Sequence, residues 1–263
     1  MSRARVATVS ESSELGGRAQ QQDVVRVGDS AVSAYAVVCD GMGGRPDGAR
    51  CALLSAQAAE EVVSRAHRRP NSKRLVSYLM ALPGNVRGQL LLEAERGRLL
   101  PNASTTLAVA LIHDGIAWLL SVGDSRCTVV RDHDVLESTT PHNRLAESLR
   151  NGETALAESA EREFYAATVT RSMAPESADL LDAGERVAVW AVPVQNGDIV
   201  LVTSDGVHEA LGLVAMAELA ARTVAAGDAA GLASILTRAA VLALPGGDNA
   251  SAAALVVHGV EAR

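Results

Sequence analysis

Hydrophobic positions along the chain fall into two patterns. The first is a set of short, nearly unbroken apolar runs: Ala34–Cys39, Thr106–Ile112, Ile116–Val122, Thr128–Val130, Val187–Val192, Ile199–Thr203 and Ala252–Val257. Runs this short, apolar at odd and even positions alike, predict strands covered on both faces. His113-Asp114-Gly115 separates two of them and predicts a hairpin turn. Asn196-Gly197-Asp198 turns the chain into the Ile199 strand. The second pattern is helical. Ala49–Ala66 carries Ala52, Ala56, Ala59 and Val63 on one stripe, and Val86–Leu99, Val214–Ala225 and Ala229–Leu242 are similar. Arg144–Glu163 is charged and weakly periodic and reads as a mobile helical insertion. Strands and helices cluster apart, which predicts an α+β fold. With no repeat and no low-complexity linker, residues 1–263 read as a single domain.

Composition narrows the chemistry. Hydrophobic residues are 48% of the 263 but aromatics only 2%, so the core must be Ala, Val and Leu, and base stacking is not available as a mode of recognition. A net charge of -7 disfavours binding to a phosphate backbone and predicts no nucleic-acid partner. Lys73 is the only lysine and lies in a polar stretch, a poor place for Schiff-base chemistry. Cys39, Cys51 and Cys127 form neither a CxxC pair nor an even-numbered disulfide framework, which suits a reducing, cytoplasmic setting. The first 17 residues lack the apolar core of a signal peptide, and no apolar run approaches the ~20 residues of a membrane span.

One pattern carries candidate chemistry. Asp40-Gly41 follows the Ala34–Cys39 run, Gly123-Asp124 follows Ile116–Val122, Asp205-Gly206 follows Ile199–Thr203, and Gly247-Asp248 precedes the Ala252 run. Carboxylates at several strand ends can converge on one rim, where they would repel one another unless cations neutralised them. An all-oxygen donor set selects Mg²⁺ or Mn²⁺ over zinc. Each Asp-Gly alone also reads as an ordinary turn, and the pattern leaves both readings open.

The surrounding words are more specific. Arg18-Ala-Gln-Gln-Gln-Asp23, Asp40-Gly-Met-Gly-Gly44, Ser104-Thr-Thr-Leu107, Gly123-Asp-Ser-Arg126, Ser204-Asp-Gly206 and Gly246-Gly-Asp-Asn249 occur in that order. The series resembles the bacterial metal-dependent protein phosphatase family of type 2C, over about residues 18–257. The resemblance implies a four-layer sandwich, two central antiparallel sheets flanked by helices on both sides. It implies hydrolysis of phosphoserine and phosphothreonine by a hydroxide shared between two Mn²⁺ or Mg²⁺ ions. Asp40 would bridge the ions, Gly41 would lend its carbonyl, Asp205 and Asp248 would bind directly, and Asp23 would act through a bound water. Asp124, with Asp205, would hold a third, weaker ion, and Arg18 would grip the substrate phosphate. The implied partners are phosphorylated proteins, substrates of a serine/threonine kinase, met by a monomeric enzyme.

The chain departs from the family at Gln21, Gln22, Met42, Pro141-His142 and Ala174. Gln22 and Ala174 keep a rival in view, a weak or inactive phosphatase-like binding module. Other readings fail on the residues. Gly123-Asp124-Ser125 lacks the second glycine of a nucleophile elbow, and Ala49-Arg50 stands where a phosphate-binding loop needs Lys-Ser/Thr. The six histidines have no metal-ligand spacing and read as solvated surface residues.

Overall fold

A computed structural model describes residues 5–42, 47–68, 72–176 and 187–260. In chain order these form β1 (Ala7–Glu14), β2 (Asp23–Asp29), β3 (Ser33–Asp40), α1 (Gly48–Arg68), α2 (Ser72–Glu95), β4 (Leu107–His113), β5 (Ile116–Val122), β6 (Arg126–Arg131) and β7 (Asp134–Ser138). They continue with α3 (Arg144–Arg150), α4 (Ala155–Glu158), α5 (Arg162–Ala166), β8 (Val189–Pro193), β9 (Ile199–Thr203), α6 (Asp205–Leu211), α7 (Leu213–Ala225), α8 (Leu232–Ala243) and β10 (Ala250–Val257). The strands make two five-stranded antiparallel sheets, ordered β1-β10-β9-β6-β7 and β2-β3-β4-β5-β8.

The unbroken apolar runs become intelligible in section. Ala34, Ala36 and Val38 of β3 pack with Val200, Val202, Ala253 and Leu255 in a layer between the sheets. The alternate residues Tyr35, Val37 and Cys39 face α1 and α2. On the far side Leu201, Ala252 and Ala254 pack under α7 and α8. Central strands are therefore buried on both faces, which removes polar alternation, and the expected α+β four-layer sandwich is what the chain builds. Asp114 (φ +53°) and Gly115 (φ +70°) make the two-residue hairpin between β4 and β5, both left-handed as that turn requires. Among the described residues no helix is long and apolar enough to cross a membrane.

Several elements differ from expectation, each for a physical reason. β1 and β7 carry polar residues at intervals because they are sheet edges, half exposed. β2, also an edge, is broken by Arg26 and Gly28. None of the three shows an apolar run. α2 begins well before Val86: Leu75, Leu79, Leu82, Val86 and Leu90 form its buried stripe, and Pro83-Gly84 hides the periodicity. The segment 144–163 is not one helix but three short ones, the first ending at Asn151-Gly152 where φ reaches +81° at the glycine. His208 is not a surface residue. It is 6% exposed, hydrogen-bonded through Nδ1 to the Thr203 hydroxyl (2.9 Å), and burial drives its pKa down to about 3.

Ala36 and Ala110 are register partners on β3 and β4, and both lie in the layer between the sheets with no exposed surface. A larger side chain there would have to displace neighbours in a layer with no exposed surface. Ala36→Leu is expected to lower stability by about 1–3 kcal/mol, read as a lower urea midpoint at unchanged m-value; an unchanged midpoint would show that the layer has spare volume.

Candidate active site

Antiparallel pairing sends every second strand end to the same rim. β3 ends at Asp40 as β2 begins at Asp23, and the two are register partners. β5 ends at Val122, opposite the first residue of β4, and Gly123-Asp124 follows. In the other sheet β9 ends at Thr203, paired with Ala252 of β10 and Arg126 of β6. Asp205 and Asp248 therefore stand just beyond that end. Asp23, Asp40, Asp124, Asp205 and Asp248 are gathered by topology from five separate stretches of chain.

Hydrogen bonds fix these positions. The Asp40 carbonyl accepts from the Thr105 hydroxyl (2.7 Å) and from Thr106 N–H (2.8 Å), while Asp40 N–H donates to the Thr106 hydroxyl (2.9 Å). Thr106 is in turn bonded to the Ser125 hydroxyl at 2.7 Å, linking the Asp40 and Asp124 strand ends. Ser204 donates to Asp23 Oδ2 (2.8 Å). Asn249 accepts from Gln22 N–H (2.9 Å) and donates to the Leu15 carbonyl (2.8 Å). Gly41 has no room for a side chain: a Cβ would stand 2.5 Å from the Gly48 carbonyl. The Gly16–Arg18 loop lies equally close on residues 246–248, with Gly17 N–H donating to the Gly247 carbonyl (2.8 Å). That contact brings Arg18 Nη2 to 2.5 Å from Asp248 Oδ2.

The electrostatics are those of a crowded carboxylate cluster. Burial pushes Asp23 up to about 7, against the pull of hydrogen bonds from Ser251 and Ser204, and the nearby Asp205 charge adds to the rise. Asp124 is likewise pushed to about 7 by burial and then by Asp205. Asp40 is held well above the carboxylate range by burial and by the charges of Asp23, Asp205 and Asp124. Asp205 is raised by burial and by Asp248. Asp23 Oδ1 and Asp205 Oδ1 are buried with no hydrogen-bond partner.

A cluster of this kind can be relieved by protons or by cations. Among the described residues no three His, Cys, Asp or Glu side chains already stand as a formed ligand set. The orphaned oxygens, the all-oxygen donors and the exclusion of any side chain at Gly41 fit Mg²⁺ or Mn²⁺.

Two further groups belong to this rim and were not singled out in the sequence. Glu209 is raised by burial and by Asp205, one helical turn before it on α6, and Arg126 lies near both Glu209 and Asp124. The i, i+4 spacing of Asp205 and Glu209 was the available signal. Gly43 and Gly44 lie outside the described residues. His142, in the departing Pro141-His142 pair, accepts Gly123 N–H at Nδ1 (3.2 Å) and is driven down to about 4 by burial and nearby arginines. Met173 pairs with Thr105 through two backbone bonds (2.8 and 3.0 Å). His142 and Met173 thus tie the root of the 144–163 insertion to the same rim.

Residues 13–239 match the family described as Protein phosphatase 2C. A serine/threonine phosphatase, stp, of Listeria monocytogenes is 25% identical over 183 residues, 70% of each chain. The fold is shared with the Mycobacterium tuberculosis serine/threonine phosphatase PstP (TM-score 0.78, 20% identity, 96% of this chain and 99% of that one). It is shared too with a PstP catalytic domain in complex with two manganese ions (TM-score 0.76, 20% identity, 98% and 100%). The chain belongs to the protein phosphatase 2C family and is a protein serine/threonine phosphatase.

The raised carboxyls have a consequence for the metal-free protein. An acid whose pKa rises on folding, here from 3.8 to about 7, binds more protons folded than unfolded between those values. The stability these carboxyls contribute therefore falls as pH rises through that window, while the buried neutral His142 and His208 act in the opposite direction below about 6.5. Thermal unfolding in chelator is expected to give a lower melting temperature at pH 8 than at pH 6.5, where the histidines no longer contribute. Mn²⁺ should restore it at pH 8. A metal-free melting temperature that rises between pH 6.5 and pH 8 would contradict the cluster.

Proposed function

We propose that the rim is a two-metal centre that hydrolyses phosphoserine and phosphothreonine in proteins, with Asp40 as the bridging ligand. One observation carries this reading: carboxylates from five chain segments meet at one rim, four of them pushed up by burial, with orphaned oxygens on Asp23 and Asp205. Such a cluster is costly without cations. Asp40, the Gly41 carbonyl, Asp205 and Asp248 would hold two Mn²⁺ or Mg²⁺ ions, with Asp23 acting through water. Asp124, with Asp205, would hold a weaker third ion. The cations supply activation of water near neutral pH and neutralisation of the phosphoryl oxygens.

The chain's own residues orient the rest. Water attacks phosphorus in line with the serine or threonine oxygen; its oxygen forms the new P–O bond, the ester P–O bond breaks, and the leaving oxygen takes a proton. Met42 offers no proton, so that proton comes from solvent. Arg18 sits at the mouth of the rim on Asp248. A cation on Asp248 would take over that carboxylate and free the guanidinium to make paired hydrogen bonds to phosphate. Phosphorylated proteins made by a serine/threonine kinase are the natural partners, and a reducing cytoplasm suits the three free, buried cysteines.

Asp40→Asn removes the charge shared by both ions. Loss of an outer-shell partner alone costs 10–100-fold, so turnover of a phosphopeptide in saturating Mn²⁺ should fall by more than about 100-fold with the unfolding midpoint unlowered. Near-normal turnover would sink the two-metal reading, and an inactive wild-type protein would favour the binding-module rival. Arg18→Ala removes a contact made in ground and transition states alike, so it should raise KM about ten-fold or more with a smaller effect on kcat; an unchanged KM would leave Arg18 as a partner of Asp248 only.

A further inference from the structure

β1 and β2 are the adjoining free edges of the two sheets. They are tied at one end by Val6 N–H to the Ser30 carbonyl (3.1 Å) and near the rim by the Gln21 amide to the Glu14 carbonyl (3.2 Å). Between these ties the edges part around a cleft of about 400 Å³, whose lining includes Glu11, Ser13, Asp23, Arg26 and Leu53. The cleft is acidic. Glu11 lines it, and Arg26 is shared with Glu60 of α1, Nε to Oε2 3.4 Å. Arg26 also donates to the Val25 carbonyl (2.8 Å). Glu11 is raised by burial and by Glu60 and lowered by Arg26, so all three charges sense one another. The inner wall is Asp23, 6% exposed, with an Oδ1 that no donor meets, and Asp23 is the register partner of Asp40.

The carboxylate cluster therefore has two approaches of opposite electrostatic character. At the open face the Arg18 guanidinium covers Asp248, occupying one donor and repelling an incoming cation. At the sheet edge Glu11 and Asp23 line the cleft, Glu60 offsets the one guanidinium there, and Asp23 is the strand neighbour of Asp40. We propose that the β1/β2 cleft is the route by which divalent cations enter and leave the centre, separate from the face that receives the phosphoprotein. The inference rests on the reading of the rim as a metal centre. Acidic walls raise the local cation concentration and speed capture, and a separate route lets the centre exchange ions while substrate covers the face.

Glu11→Gln and Leu53→Trp test the route without touching a proposed ligand. Leu53 is 38% exposed on α1 at the cleft, so an indole there plugs the opening. Mn²⁺ entry is read as loss of the free-ion paramagnetic signal after rapid mixing, release as transfer to a chelating dye, and stoichiometry by calorimetry. Leu53→Trp should slow entry and release alike, by about ten-fold, with an unchanged dissociation constant. Glu11→Gln should slow entry about three-fold, within the range of electrostatic steering. Wild-type rates in both variants, with two ions still bound, would overturn the route and leave the metal centre standing. A wild-type protein that binds no Mn²⁺ would overturn both. Should the tryptophan variant fail to fold, Glu11→Gln decides alone.

Discussion

Mutual repulsion among buried carboxylates is the constraint on which the rest of the molecule depends. Asp23, Asp40, Asp124 and Asp205 are held in a poorly solvated rim and every one of them is pushed above its ordinary pKa, by burial first and by its neighbours second. Such an arrangement does not assemble for the sake of stability. It persists because the surrounding backbone over-determines it: Thr105 and Thr106 lock Asp40, Ser204 holds Asp23, and Asn249 ties two loops together.

The sandwich explains how the cost is met. Three apolar layers, one between the sheets and one beneath each helical cover, bury the central strands on both faces. That burial supplies the main stabilising term, about 25 cal/mol per Å² of apolar surface. Small residues such as Ala34, Ala36, Ala108 and Ala110 let the two sheets meet, with Trp190 packed against the layer from its edge strand. Antiparallel order then delivers strand ends from both sheets to one rim, so the fold that stabilises the chain also concentrates its negative charge.

Much of this was legible in the sequence, for a reason tied to burial. β3, β4, β5, β9 and β10 are covered on both faces and appear as plain apolar runs, and Asp114-Gly115 marks its hairpin. The edges β1, β2 and β7 escaped notice because half-exposed strands mix Ser, Glu and Arg with Val. α6 escaped because its seven residues begin inside the Ser-Asp-Gly word. The carboxylates stood out because each follows or precedes a buried strand with a glycine beside it. What the sequence could not display is pairing across the fold: Arg18 on Asp248, 230 residues apart, Ser204 on Asp23, 181 apart, and the cleft where two sheet edges separate.

The most direct test of the centre is anomalous diffraction from crystals grown with Mn²⁺. The account requires two manganese peaks roughly 3.5–4 Å apart, bridged by Asp40, with Asp205, Asp248 and the Gly41 carbonyl around them and Arg18 drawn away from Asp248. Density that leaves Arg18 on Asp248 and shows no manganese among these carboxylates would contradict it.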